Sequence, residues 1–413
     1  MWLERLKAVN GSLHMNTKKI ALFGLFGVGN FGNEASLEAI LQYIRCNQPE
    51  MEVLCVCAGP DDVAAHHHVH AISMHMGTEA AYETISNRAY RLALRAIYEL
   101  IVWIRTYRFL RTVDLVVVPG TGILDDFGVG PWQMPYYLFR WSFIAKLART
   151  NFYFVSIGAG PIHHPVSRWF MKQAARFATY RSYRDTISKE FMESIAFDTQ
   201  QDQIYPDLVF SLQTPIAVQR QTTRISVGLG VMAYYGWYND TVHGEEIYQA
   251  YLHKLVTFAS WLLRRGYSLR LLVGQQTDQR MVDDLQCALA EQVKTYQSER
   301  VVAEPINSIQ DLMAQISLTD LVVGTRFHNV LCALMLNKPV ISLGYAKKND
   351  DLMAEMGLES FCQHVESFDV EQLKQQFVLL EQQAHFYRKQ LCRCNDEYRQ
   401  ALAQQYALIF GGE

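Results

Sequence analysis

The sequence lacks an apolar run long enough to cross a bilayer, and it shows no secretory signal. These two absences argue against both membrane spanning and export. The eight cysteines have no metal-ligand spacing, and such thiols are expected in a reducing cytoplasm. Charge is scarce as well. Only 19% of the residues are charged and the net charge is −3, which argues against a general nucleic-acid binder.

What the sequence has is length, together with alternating strand and helix patterns. At 413 residues, half of them apolar, the chain is too long for one ordinary core, so two domains are expected. Both halves alternate buried strands with helices, which predicts two doubly wound, Rossmann-like α/β domains facing a central cleft. The predicted segments are an N-terminal extension, two domains and a helical tail: 1–17, 18–212, 224–385 and 386–413.

The stretch 319–349 combines a strand-helix-strand pattern with cationic side chains. It predicts a strand at 321–323 and a turn at Gly324. A helix at 329–336 and a second strand at 340–343 follow. Arg326 and His328 fall where the helix begins, and a helix N-terminus suits an anion. Arg326 can hold a phosphate or carboxylate by two hydrogen bonds, and His328 can exchange a proton near neutral pH. The alternative is that Arg326 pairs with a local carboxylate and His328 is simply packed.

Two other patterns have weaker chemical implications. Gly27, Gly29 and Gly32 match the spacing of a dinucleotide fingerprint. The acidic residue that should follow the next strand is not clearly placed, Asp61 being the nearest, so a tight strand-to-helix turn is the favoured interpretation. A histidine-rich segment comes next, with His66, His67, His68, His70 and His75. The run is mostly consecutive and lacks an obvious carboxylate or cysteine partner, so we expect a surface loop rather than a metal site.

A long helical pattern at about 80–111 mixes apolar and aromatic residues with arginines. The arginines are Arg88, Arg91, Arg95, Arg105, Arg108 and Arg111. A basic, aromatic-rich amphipathic helix can lie on an anionic membrane surface. The alternative is a domain helix whose arginines are merely solvated.

Six short motifs occur in a fixed order along residues 18–360. They read G-N-F-G-N-E-A, G-T-G-I-L-D, G-A-G-P, Arg184-Asp185, P-D at 206–207, and G-T-R-F-H with P-V-I-S-L-G-Y-x-x-K. In this order they resemble the polysaccharide pyruvyl transferase family. Two positions differ from the family's usual motifs, since Asn33 replaces an aspartate and Thr121 replaces the middle glycine of G-G-G.

The resemblance implies a two-domain architecture like that of GT-B glycosyltransferases. It also implies transfer of a pyruvyl group from phosphoenolpyruvate onto two hydroxyls of a sugar as a cyclic ketal. We expect no metal and no further cofactor, because arginine and lysine can neutralise the leaving phosphate. The family's Arg-x-His corresponds to Arg326 and His328, its Arg-Asp pair to Arg184 and Asp185, and its lysine to Lys348. Family acceptors are often lipid-linked saccharides, which is compatible with peripheral contact at the inner face of a membrane.

The residues support this chemistry on their own terms. Phosphoenolpyruvate carries a carboxylate and a phosphate, so it needs two cationic clamps, and His328 is the candidate general acid. The candidate bases are Asp126, Asp125 and Glu34. Tyr235 and Trp237 can stack on sugar rings or pack as a lid. Other candidate substrate contacts, mostly at predicted strand ends, are Gly29, Asn30, Gly120, Thr121, Gly122, Gly158, Gly274, Gly324, Thr325, Asn329 and Tyr345.

Two rival functions share these features. A GT-B glycosyltransferase that uses a nucleotide sugar would have the same fold and an anion site at a helix N-terminus of its second domain. A non-catalytic glycan-binding protein of the same fold is the other alternative. Donor chemistry separates them, because only pyruvyl transfer releases phosphate from phosphoenolpyruvate.

Overall fold

The structure, a computed structural model, describes residues 18–77, 87–215, 224–236, 242–292 and 298–411. The predicted extension at 1–17, residue Trp237 and most of the stretch 213–223 between the two predicted domains lie outside these ranges. The described residues divide into two compact units. The first unit draws on the described residues of 18–28, 36–208 and 408–411, and the second on those of 29–35 and 209–407.

The first unit is built on a parallel sheet, as the sequence predicts. Its described strands are β1 Lys19–Gly24, β2 Glu52–Cys57, β3 His70–Ser73, β4 Leu115–Pro119, β5 Asn151–Ile157, β6 Tyr180–Tyr183 and β7 Gln203–Ile204. They lie in the order β3-β2-β1-β4-β5-β6-β7, each pair parallel. Strand order therefore reverses at β1 and β4, the kind of switch point beside which doubly wound sheets bind ligands.

Helices connect these strands. They are α1 Phe31–Asn47, α2 Pro60–His67, α3 Arg88–Leu110, α4 Met134–Ala148, α5 Pro165–Phe177 and α6 Thr186–Ser194. Helix α1 begins at Phe31 because the side chain of Asn30 accepts hydrogen bonds from the N–H groups of Gly32 (3.0 Å) and Asn33 (3.3 Å). Leu110, Trp141 and Met171 from α3, α4 and α5 belong to one buried cluster with Phe23 and Phe152 of the sheet.

The second unit repeats the design around a second parallel sheet. Its described strands are β8 Ser226–Gly230, β9 Ser268–Leu272, β10 Val301–Val302, β11 Leu321–Gly324, β12 Val340–Gly344 and β13 Cys362–His364, in the order β10-β9-β8-β11-β12-β13. Its helices are α7 Gly244–Arg264, α8 Gln279–Gln292, α9 Ile309–Ser317, α10 Phe327–Met335, α11 Lys347–Glu355, α12 Val370–Gln382 and α13 Ala384–Phe410. Two parallel α/β sheets with interspersed helices confirm the predicted fold class.

The histidine-rich segment is not the surface loop that we expected. His66 and His67 end α2, His68 caps it in the left-handed conformation, and His70 begins the edge strand β3. A proline at the first helical position and acids in the first turn explain why a helix forms. His67 Nδ1 lies 2.9 Å from Glu38 Oε2. Across the described ranges, no three His, Cys, Asp or Glu side chains are grouped so that they could hold a metal ion.

The described part of the long helical pattern forms α3 from Arg88, and the predicted residues 80–86 lie outside the described ranges. Asp61 lies in the first turn of α2 rather than at the end of β2, so the acidic partner of a dinucleotide fingerprint is missing there. None of the helices in the described ranges combines the length and the apolar character that a bilayer crossing requires.

Candidate active site

Glycines at the ends of neighbouring strands in the second sheet let the first turn of α10 approach closely. A Cβ built on Gly230 would lie 2.5 Å from Asn329 Nδ2, and one built on Gly274 would lie 2.8 Å from Arg326 Cγ. Both distances are too short for real carbon atoms, so these positions require glycine. Gly274 was predicted to contact substrate; packing accounts for this glycine, and its substrate contact stays a prediction, as does that of Gly324.

Arg326 is held by a carboxylate that the sequence reasoning did not single out. Asp278 is fully buried and accepts from Arg326 Nε at 2.9 Å and from Nη2 at 2.7 Å. The same carboxylate accepts from the N–H of Ala233 at 3.0 Å and from the N–H of Gly274 at 3.4 Å. It therefore joins the ends of β8 and β9 to the start of α10. No hydrogen bond to a described residue uses Arg326 Nη1, so this edge of the fork can meet a ligand.

His328 occupies the first turn of α10, over a glycine from the early G-N-F-G motif. Residues 29–35 group with the second unit, and a Cβ on Gly32 would stand 1.8 Å from His328 Nε2. Any side chain at position 32 would therefore displace the imidazole. The early motif thus has a second role that its glycine spacing did not reveal: it leaves room for the predicted acid.

A second helix begins beside the first, after the adjacent strand β12. Lys348 lies in its first turn, with Nζ 5.2 Å from the ring centre of Phe327 and 5.8 Å from that of Tyr345, within cation–π range. Neither α10 nor α11 is capped by the side chain of its N-cap residue, Arg326 or Ala346. Two positive helix ends therefore follow neighbouring parallel strands, with a cation at each.

Fully buried polar atoms that have no hydrogen-bond partner among the described residues lie at these two helix starts or on the strand beside them. They are Asn329 Oδ1, Ser342 Oγ, and both Asn349 Oδ1 and Nδ2. Asn329 and Asn349 lie in the first turns of α10 and α11, and Ser342 lies beside Gly324 on the neighbouring strand. Buried polar groups are almost always satisfied in native proteins, so this cluster indicates groups that bind a ligand or water. Ser342 and Asn349 were not among the predicted site residues.

The side chain of Thr325 makes a hydrogen bond within the second unit. Its hydroxyl lies 2.7 Å from that of Tyr251, and burial raises the pKa of Tyr251. Tyr235 is also engaged: its ring stacks on Tyr248 at 5.1 Å, and its hydroxyl accepts from Arg280 Nη1 at 2.7 Å. Packing therefore accounts for Tyr235, and sugar stacking by this residue stays a prediction.

In the first unit, Arg184 lies at the ends of β5 and β6 between two carboxylates. Its Nε is 3.3 Å from Asp185 Oδ2, and its Nη1 is 3.4 Å from Asp207 Oδ2. A Cβ on Gly158 would stand 2.9 Å from the Arg184 Cζ, so the guanidinium lies directly on that glycine. Asp185 also caps α6, accepting from the Ser188 N–H at 2.7 Å. Arg184, Asp185, Asp207 and Gly158, which come from three separate motifs, thus form one group.

The loop after β4 brings other predicted residues to the same edge of the first sheet. Gly120 has a φ of +50°, and its carbonyl accepts from the hydroxyl of Ser36 at 3.2 Å. Thr121 is buried, and its hydroxyl has no hydrogen-bond partner among the described residues. A Cβ on Gly122 would lie 3.6 Å from Asp125 Oδ2 and 3.9 Å from Arg184 Nη2.

Asp126, a predicted base, holds a loop. Its carboxylate accepts from the N–H of His163 at 2.9 and 3.0 Å and from that of His164 at 2.8 Å. Asp125 accepts from the N–H of Phe127 at 3.2 Å.

Of the early-motif residues, Asn30 caps α1, while Gly29 has a φ of +74° with no atom within 4 Å of a built Cβ. Glu34 lies in the first turn of α1.

Paired parallel α/β units of this kind define the GT-B-like class, and solved structures of that class are similar in fold. A putative UDP-N-acetylglucosamine 2-epimerase from Listeria monocytogenes shares 10% identity at a TM-score of 0.62, covering 96% of this chain and 98% of that one. A glycosyltransferase from Rickettsia africae shares 9% identity at 0.59, covering 96% and 100%. The lipopolysaccharide outer core galactosyltransferase WaaB shares 12% at 0.51, covering 94% and 99%. At these identities the similarity concerns the fold alone.

The family is narrower than the fold class. The polysaccharide pyruvyl transferase model matches residues 30–347, most of the chain, and the chain belongs to that family. The match confirms the resemblance drawn from the six motifs and identifies a transferase of polysaccharide biosynthesis. No curated protein sequence matches the chain.

Proposed function

We propose that the protein transfers a pyruvyl group from phosphoenolpyruvate to two hydroxyls of a sugar, in a polysaccharide or a lipid-linked oligosaccharide. The product is a cyclic ketal and inorganic phosphate. The family match supports pyruvyl transfer to a glycan. The observation that carries the donor assignment is the pair of helix starts after β11 and β12, with Arg326, His328 and Lys348 in or next to their first turns.

The donor has two anionic groups, and the second unit offers two cationic positions for them. The unbonded Nη1 of Arg326 serves one anion at the start of α10. Lys348 serves the other at the start of α11. The side-chain amide of Asn349, which has no hydrogen-bond partner among the described residues, lies in the first turn of α11 and adds a neutral donor there. Such preorganised donors stabilise charge without reorganising during the reaction.

His328 then acts as the general acid. It gives a proton to the methylene carbon of phosphoenolpyruvate, which becomes the methyl group and leaves a cation-like centre at C2. One sugar hydroxyl adds to C2, the C2–O bond to phosphate breaks, and the second hydroxyl closes the ketal. The two hydroxyls lose two protons, which offset the proton given to carbon and the one taken by the departing phosphate.

The identity of the base can be tested by comparing three carboxylates. Asp126 already accepts three hydrogen bonds that hold the backbone of residues 163 and 164, so Asp126→Asn should mainly loosen that loop. Asp125→Asn and Glu34→Gln change carboxylates near the Arg184 group and in the early motif. A base among them should lower kcat about 10²–10⁴-fold and remove the acid limb of the pH profile.

The test of the proposed function is phosphate release from phosphoenolpyruvate across a panel of acceptor glycans. We expect His328→Gln to lower kcat about 10²–10⁴-fold, and the exposed His253→Gln to leave it unchanged. Lys348→Ala should raise KM for phosphoenolpyruvate about tenfold, the effect of one lost charge-assisted contact. Lys347 is the matched control, because its side chain is 76% exposed and pairs with Asp351.

Two outcomes would refute the proposal. In the first, the wild type releases a nucleotide from a nucleotide sugar and never consumes phosphoenolpyruvate, which makes it a glycosyltransferase. In the second, it binds glycans without turning over any donor. Full activity of His328→Gln would reject the acid while leaving the reaction itself intact.

A further inference from the structure

One face of the first unit is apolar and exposed. Helices α3, α4 and α5 pack side by side, and α3 turns a row of large apolar side chains outward. Ile97, Leu100, Ile101 and Ile104 are 55%, 62%, 42% and 44% exposed and follow the three- and four-residue spacing of one helix face. Trp132 and Trp169, beside α4 and on α5, are 60% and 52% exposed. This many large apolar side chains exposed on helices that pack side by side indicate a partner.

The same three helices are strongly basic. Residues 88–111, 134–149 and 165–177 carry twelve arginines and lysines against one acidic residue, Glu99, whereas the whole chain has a net charge of −3. Glu99 is itself engaged, since it accepts from the hydroxyl of Tyr136 at 2.9 Å. Arg95 and Arg108 on α3, and Arg111 at its C-cap, are exposed and make no ion pair with a described residue.

We propose that this face, formed by α3, α4 and α5, docks on an anionic lipid membrane. Apolar residues flanked by arginines, with exposed tryptophans at the edge, match the chemistry of an interfacial surface. A second copy of this chain fits poorly, because a twofold contact would press two faces of the same positive charge together. The proposal does not depend on the reaction catalysed.

The loop beside this face suggests how docking on a membrane would serve the protein. The loop that follows β4 carries Phe127, 66% exposed, and Trp132, and it begins with the Gly120–Gly122 turn. Phe127 and Trp132 therefore follow within about ten residues the turn at the edge of the first sheet where Thr121 lies. An acceptor anchored in the bilayer would be presented next to that edge.

The test is flotation of the full chain with vesicles. The protein should float at low salt with phosphatidylcholine vesicles that contain phosphatidylglycerol, and binding should fall in high salt and with phosphatidylcholine alone. Each substitution among Arg95→Ala, Arg108→Ala and Arg111→Ala should lower partitioning roughly fivefold. Leu100→Glu with Ile104→Glu should abolish it.

A matched control uses Phe386→Glu with Leu379→Glu, which change side chains that are 61% and 44% exposed elsewhere. This variant should bind like the wild type. Absence of flotation at low salt, equal binding to neutral vesicles, or full binding by the Leu100→Glu, Ile104→Glu variant would overturn the proposal. Phosphate release with a soluble acceptor should be unchanged in all these variants, so the docking and the reaction fail separately.

Discussion

Replacing Arg326 should destabilise the second unit as well as weaken donor binding. In the structure, the arginine neutralises Asp278, a carboxylate with no exposed surface, through hydrogen bonds of 2.9 and 2.7 Å. Arg326→Met would leave that charge buried, with only two backbone N–H groups as donors. Breaking a buried pair from one side typically costs about 3–5 kcal/mol.

The reverse change should be milder. Asp278→Asn removes the buried charge and leaves an arginine that retains 16% exposure and can reach water. We expect a cost of about 1–3 kcal/mol, that of hydrogen bonds lost at a charged group. In the double variant Arg326→Met, Asp278→Asn no unpaired charge is left buried. Its destabilisation should therefore be about 2 kcal/mol less than the sum of those of the two single variants.

The assay is native-state hydrogen exchange, read on peptides from β8, β9 and β11, because a chain with two units need not unfold in one step. Arg326→Met should lower protection there roughly a hundredfold to several thousandfold and leave β4 and β5 of the first unit unchanged. Additive effects in the double variant, or wild-type protection in Arg326→Met, would refute the role given to the pair. Loss of activity in an Arg326 variant therefore does not by itself show donor binding.

Three other changes follow from single contacts. Gly32→Ala should lower kcat about as far as His328→Gln does, because the new methyl group would collide with the imidazole, and phosphate release measures it. Asp185→Ala should lower the free energy of unfolding by about 1 kcal/mol through the lost cap of α6, measured by denaturant titration. Burial and then the nearby Arg140 lower the pKa of His75 below 6.5. Its contribution to stability should therefore be present above pH 6.5 and be lost as pH falls through the folded-state pKa, as unfolding at stepped pH would show.

Each of these has a control. The control for Gly32→Ala is Gly29→Ala. A Cβ at position 29 meets no other atom but is strained by the positive φ, so this variant should lose stability and keep its kcat. For Asp185 it is Asp185→Asn, which keeps a capping oxygen and should recover most of the lost stability. His75→Asn should flatten the pH dependence below 6.5, and an unchanged slope would exclude His75 as its source.

Local patterns were sufficient for the architecture. The apolar runs before Gly24, Pro119, Gly230 and Gly324 are short and bounded, and each forms a strand of a parallel sheet. Such runs predict strands because a parallel strand is buried on both faces and needs no partner information to be recognised. The position of Arg326 and His328 at a helix start followed in the same way from Gly324 and the apolar run before it.

Where local signals were weak, the predictions failed. The histidine run was predicted to be a loop because the periodicity of a helix as short as eight residues is hard to recognise. The proline and the two acidic residues that support α2 lie at the start of that helix, before the histidines. Asp278 escaped notice because nothing near it in sequence indicates a partner. It lies 48 residues before Arg326 along the chain, in a turn before α8.

By itself, the sequence determined two strand-helix alternations, the glycines at strand ends and the family motifs, since all of these depend on near neighbours along the chain. Only the tertiary structure decided which side chains meet. The order β9-β8-β11 brings Asp278 to Arg326, residues 29–35 place Gly32 under His328, and the order β5-β6 places Arg184 on Gly158. These contacts depend on which strand ends become neighbours in the sheet, and that order is set by packing over the whole unit rather than by any local pattern.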